Sequence, residues 1–128
     1  MIPDNLRISC EPHATAEDIT LLKNALYEFN MMRMNDHNPK PINLFVRDES
    51  NVIYGGLLAN CWGEWAHIDF LWVSEQARHQ GFGTKLLNTA HDQARDFGCR
   101  GAYLETFAFQ ARPFYERLGY KVFGEVKD

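Results

Sequence analysis

Two groups of residues in this 128-residue chain have the types and spacing to do chemistry. The first lies in SEQARHQGFGTKLL, residues 74 to 87, where Arg78, His79 and Gln80 precede Gly81-Phe82-Gly83-Thr84. A strand pattern ends at Val73 and a helical pattern runs from Thr84, so both glycines fall on a strand-to-helix turn. Glycine inside a helix costs about 1 kcal/mol relative to alanine. A helix N-terminus offers unpaired N–H groups and a partial positive charge. Bare backbone there lets phosphate oxygens come close, and Arg78 can add a charge-assisted contact. Taken alone, Gly81-x-Gly83 reads equally as a tight connection without a ligand. It is not the dinucleotide fingerprint, because Leu86 stands where the third glycine belongs. It is not a P-loop, because no Gly-Lys-Ser/Thr follows.

The second group lies in WAHIDFLWV, residues 65 to 73. Strand parity puts His67, Asp69, Leu71 and Val73 on one side and Ile68, Phe70 and Trp72 on the other. An imidazole with an ordinary pKa of about 6.5 suits proton transfer near neutrality. The plainer reading is that His67 and Asp69 are strand polars that pair with each other.

Composition narrows the classes. The chain is 45% hydrophobic and 23% charged, which is a globular profile in a length that suits one domain, residues 1–128. The net charge of -4 and the scattered Lys and Arg argue against nucleic acid. No apolar run follows a basic start, and none approaches the roughly 20 residues that span a bilayer. A cytoplasmic protein without a membrane partner is expected. Cys10, Cys61 and Cys99 are odd in number and far apart, so they read as small buried hydrophobes. The five histidines have no metal spacing, and no metal is expected.

These groups must be positioned by strands and helices in a mixed order. LRISCE (6 to 11) reads as a short strand. Thr15 with Asp18 resembles a capping box, and Ile19, Leu22, Leu26 and Phe29 recur at helical spacing until about Met34. INLFVRD (42 to 48), VIYGGLLANCW (52 to 62) and WAHIDFLWV (65 to 73) read as an antiparallel meander, with Gly63-Glu64 as a hairpin loop. Leu86, Leu87, Ala90, Ala94 and Phe97 form the apolar face of a helix that Gly98 caps. GAYLETF (101 to 107) is a strand, Pro113 opens a short helix stopped by Gly119, and YKVFGEV (120 to 126) is a last strand. The fold class is α+β, a mixed but mostly antiparallel sheet of about six strands flanked by helices. One βαβ unit over 68 to 105 makes a parallel pair.

The spacing Arg78-x-x-Gly81-x-Gly83 resembles the acetyl-CoA loop of the GNAT (GCN5-related) N-acetyltransferases. Ala111-x-x-Phe114-Tyr115-x-x-x-Gly119-Tyr120 resembles that family's second signature, and the element order is similar to the family's over residues 5 to 126. The resemblance implies an acetyl-CoA-dependent transfer to a primary amine of a small molecule or peptide. Backbone amides from Gln80 to Thr84, including those of Gly81, Phe82 and Gly83, with Arg78 and His79 nearby, would then hold the pyrophosphate. A bulged strand splayed from its parallel neighbour would take the pantetheine arm along Leu71, Trp72 and Val73. Phe114 belongs to the same coenzyme region, and Gln110 is a candidate contact because Ala108 stands where the family often has asparagine. Tyr115 occupies the general-acid position, and a phenol with a pKa of about 10 is a reasonable match to an alkyl thiol. His67, Asp69 and a water relay are alternatives for the base. A GNAT domain usually adds a seventh strand, so the domain is expected to lack its last one and to pair as a homodimer. A non-catalytic acyl-CoA-binding or protein-interaction module on this fold is the competing expectation.

Overall fold

The computed structural model describes residues 1–34, 39–106 and 111–127. They fall into two compact units, Met1–His37 and Asn38–Asp128. In the first unit, helix α1 spans Ala16–Arg33 and starts where the sequence says it should. The Thr15 hydroxyl accepts the Asp18 N–H at 3.1 Å, and Glu17 and Asp18 put negative charge on the first turn. Residues 6–11 are not a strand. Their pattern is strand-like, but a strand needs a ladder partner, and no other strand is described in this unit.

The second unit carries one sheet in the order β1-β2-β3-β4. Its strands are β1 (Lys40–Arg47), β2 (Ile53–Trp62), β3 (Trp65–Val73) and β4 (Gly101–Tyr103). The first three form the expected antiparallel meander, and β3 pairs β4 in parallel. Between β3 and β4 runs helix α2 (Phe82–Asp96), and helix α3 (Arg112–Arg117) follows β4. The helix face read from the sequence is the buried one, with Leu86, Leu87, Ala90 and Ala94 all inside. They meet Ile42, Leu57, Ala59, Cys61, Ala66 and Ile68 from one side of the sheet. Leu57 and Leu87 are wholly buried, each contributing about 1.5–3 kcal/mol. This packed layer is what holds the loop at the start of α2 and the polar end of β3 at fixed positions.

The sheet has four described strands, not about six. Residues 120–126 alternate like a strand but form no ladder. Side chains tie this segment to helices instead. Arg112 of α3 bonds Glu116 at 2.8 Å and Glu125 at 3.0 Å, and the Tyr120 hydroxyl meets His91 of α2 at 2.6 Å. Of the strand expected over 101 to 107, the described residues form a ladder only over Gly101–Tyr103, and residue 107 lies outside the described residues. One smaller expectation also fails: Cys10 is exposed, unlike the buried Cys61 and Cys99.

Strand parity in β3 breaks at one place. Leu58 faces Phe70 while Ala59 faces Ile68, so Asp69 is an extra residue with no partner on β2. This β-bulge shifts the alternation by one. Ala66 and Ile68 before it and Leu71 and Val73 after it therefore all pack on the core side. His67 and Asp69 do not share a face with Leu71 and Val73, as unbroken alternation would require.

Candidate functional site

The site is built around β3, with one region at each of its ends. At its C-terminal end the chain turns into α2 through two left-handed residues, His79 at φ 65° and Gly81 at φ 82°. Gly81 is the N-cap, so the helix opens at Phe82, two residues earlier than the pattern suggests. Glycine is needed at 81 for its φ, since a Cβ there would meet nothing within 4 Å. Gly83 is different. A Cβ on it would lie 3.2 Å from Cζ of Phe114, so the bare position lets the α3 ring pack on the first turn of α2. The first helical bond runs from the Lys85 N–H to the Gly81 carbonyl at 3.0 Å. The amides of Phe82, Gly83 and Thr84 precede it, in the turn where helical acceptors are lacking. Free N–H groups at a helix start are the kind of backbone that can receive an anion.

The flanking side chains brace this loop. Arg78 donates from Nε to the Val73 carbonyl at 3.0 Å, fastening the loop to the strand end while its charge stays at the loop. Gln80 reaches the Gln76 carbonyl at 3.5 Å. Lys85 lies 5.4 Å above the Phe82 ring. Along β3 itself, the parallel ladder pairs only Trp65, Ala66 and His67 with Gly101, Ala102 and Tyr103. Among the described residues, β3 from Ile68 to Val73 has no ladder partner on its β4 side. The Leu71–Val73 backbone is therefore without a described ladder neighbour on that edge. Leu71 and Val73 pack partly into the core beneath it, and the Trp72 side chain stands on the exposed face.

Where the ladder stops, polar side chains gather. His67 binds Asp69 through Nδ1 at 2.5 Å and Glu105 through Nε2 at 2.8 Å. Asn60, opposite His67 in the β2 register, donates Nδ2 to the second Asp69 oxygen at 3.1 Å. The Tyr103 ring lies 4.7 Å from the imidazole. Partial burial opposes charge on His67, but the hydrogen bonds from Glu105 and Asp69 and their negative charges outweigh it. The His67 pKa is raised as a result. With both ring nitrogens held by carboxylates, the protonated form donates twice.

Tyr115 sits on α3, half-buried, with its ring edge-on to Phe114 at 5.3 Å and to Tyr120 at 5.8 Å. Burial raises its pKa, so the phenol keeps its proton at neutral pH. Tyr115 and Glu105 line one cavity of about 1290 Å³ between β4, α3 and the C-terminal segment. The structure thus joins His67 to Asp69, Gly83 to Phe114, and the loop residues to the start of α2. Gln110 lies outside the described residues. Sequence reasoning missed Glu105 and Asn60. Glu105 is two residues beyond Tyr103, the register partner of His67, so parallel pairing plus parity would have pointed to it. Among the described residues no group of three His, Cys, Asp or Glu is arranged to hold a metal ion. No described helix is long and apolar enough to cross a membrane.

Comparisons with known proteins agree with this geometry. The model of the acetyltransferase (GNAT) family matches residues 6–120. An acetyltransferase of Agrobacterium fabrum is 33% identical over 113 residues, 88% of this chain and 82% of the relative. The blasticidin-S acetyltransferase of Streptomyces morookaense is 41% identical over 81 residues, 62% of this chain and 60% of that one. A crystal structure assigned as an acetyltransferase of Agrobacterium tumefaciens superimposes with a TM-score of 0.88 at 30% identity, covering 96% of this chain and 90% of that one. The chain belongs to the GNAT family of acetyltransferases.

Proposed function

We propose that this protein is an acetyl-CoA-dependent N-acetyltransferase acting on a primary amine by direct attack on the thioester. The observation that carries the reading is the position of the break between β3 and β4. It leaves the β3 edge between His67 and the Gly81–Thr84 loop without a described ladder partner, where the coenzyme arm would lie. The pyrophosphate of the coenzyme would rest on the amides of Phe82, Gly83 and Thr84, flanked by Arg78. The arm would add to the free edge of β3 as an extra strand. The blasticidin-S relative is consistent with an amine nucleophile.

An alkyl ammonium has a pKa of about 10.4 and must lose a proton before it attacks. His67 in its neutral form, Asp69 or water bridged to them would take that proton. The new C–N bond forms as the C–S bond breaks, and the sulfur takes a proton that Tyr115 can supply. A backbone N–H near Val73 would bind the oxygen on which charge develops. Incubation with acetyl-CoA and a panel of amines, read by release of free thiol, tests the reading. A folded protein that binds no acetyl-CoA in calorimetry would sink it. Binding without turnover on any amine would favour a non-catalytic acyl-CoA-binding module.

A further inference from the structure

Tyr115 stands on a helix that cannot hold it unaided. Helix α3 has six residues, none of them fully buried, and no side-chain cap at its N-terminus. A helix that short is marginal without tertiary contacts. Its C-terminus supplies them. Gly119 is left-handed at φ 97°, which lets its N–H reach the Glu116 carbonyl and the Tyr120 N–H reach the Tyr115 carbonyl, both at 3.1 Å. In this capping pattern the residue after the glycine packs back on the last full turn of the helix. Here those two residues are Tyr120 and Tyr115, and their rings meet edge to face at 5.8 Å. The Tyr120 hydroxyl then leaves α3 altogether and meets Nε2 of His91 at 2.6 Å. His91 lies on α2 between the buried Ala90 and Ala94, so the core fixes its place. The bond does not require a charged imidazole, because burial and the Arg95 charge lower the His91 pKa against the opposing Asp92. About two turns earlier on α2, Gly83 takes the Phe114 ring, which is also edge-on to Tyr115. Helix α2 thus holds α3 and its cap at two points, and the Tyr115 ring touches both rings that make them.

We infer that His91 and Tyr120 are positioning residues for the transfer reaction: their hydrogen bond fixes the Tyr120 ring, and that ring sets the direction of the Tyr115 phenol. Neither is assigned a proton of the reaction. The inference rests on the reading of Tyr115 as the general acid. A proton donor whose direction drifts loses rate before it loses affinity, because its alignment counts in the transition state.

The test starts from Tyr120→Phe, which keeps the ring and removes the hydroxyl. It is expected to lower kcat about tenfold, with KM for acetyl-CoA and for the amine within about twofold. His91→Leu should do the same, the pair of changes together should be no worse than either one, and His91→Gln, which keeps a hydrogen-bonding group, should restore most of kcat. The sharpest comparison is made in Tyr115→Phe, where adding Tyr120→Phe should lower kcat no further. A further tenfold loss there, or a rise in both KM values with kcat kept, would overturn the inference, because the hydroxyl would then not act through Tyr115. Amide hydrogen exchange reads the clamp without turnover. Tyr120→Phe and His91→Leu should each lower protection of the amides at positions 119 and 120 about tenfold or more, with that of Lys85 unchanged. Unchanged protection in both variants would also overturn it. If Tyr115→Phe itself leaves kcat unchanged, the general-acid reading fails and the inference falls with it. If the wild type releases no free thiol with any amine, the acetyl-transfer reading fails, while exchange still decides whether His91 and Tyr120 hold this end of α3.

Discussion

The two ends of β3 are built from different materials. At the C-terminal end the groups proposed to hold the coenzyme are backbone amides, at a left-handed glycine and the unpaired first turn of α2. At the N-terminal end the polar groups are side chains, two carboxylates around His67, braced by Asn60. The amide turn has few degrees of freedom left to lose, because the core beneath α2 already fixes it. The carboxylate end depends on side chains that are 30% exposed or more, so it is tunable and screened by salt. A rigid backbone site suits a coenzyme that the whole family shares. A side-chain site suits an acceptor that differs from one member to another.

Four experiments would break or sharpen this contrast. The largest expected effect is on kcat. Tyr115→Phe should lower it about hundredfold or more, the usual worth of a general acid, while coenzyme affinity measured by calorimetry stays near wild type. An unchanged kcat would remove Tyr115 from the chemistry. Next is Gly83→Val, whose Cβ would lie 3.2 Å from the Phe114 ring. We expect a stability loss of about 1–3 kcal/mol from overpacking and loss of coenzyme binding, with the His67 pKa left as in wild type. A parallel change at both ends would show that they are not independent.

Asp69→Asn is expected to act only at the carboxylate end, lowering the His67 pKa toward its ordinary value with coenzyme affinity unchanged. NMR titration beside calorimetry reads both. The smallest effect is in the pH dependence of stability, and it sets His67 against His91. His67 has a raised pKa, so its contribution is fully present below about pH 6.5 and is lost as pH rises through the raised folded value. His91 is half-buried against the Tyr120 hydroxyl, and burial, with the Arg95 charge, depresses its pKa. Its contribution is present above about pH 6.5 and is lost as pH falls through the depressed folded value. Tm followed across that range in His67→Gln and His91→Gln should therefore show opposite slopes relative to wild type. Slopes of the same sign would contradict the contrast between the two environments.

The loop before α2 was legible because its signals are local. Gly81 needs a left-handed φ, and the spacing to Phe114, Tyr115 and Gly119 repeats a family pattern. The apolar face of α2 and the meander of β1 to β3 were legible for the same reason, since periodicity reports burial directly. The acid–base cluster was legible only in part. His67 and Asp69 are near neighbours in sequence, but the bulge at Asp69 upset the parity argument, and nothing local in WAHIDFLWV announces an extra residue. Residues 6–11 and 120–126 have strand composition without a strand, because a ladder is a property of two segments and composition describes one.

By itself, then, the sequence determined the family, the glycine turn at Gly81–Thr84 and the helix that follows it. It did so because capping, left-handed glycines and helical periodicity act over a few residues. Only the tertiary structure decided where the β3–β4 ladder stops and which way Leu71 and Val73 face. Only the tertiary structure set Glu105 against His67, 38 residues away. Those outcomes depend on register, and register is settled by packing across strands that are distant in the chain.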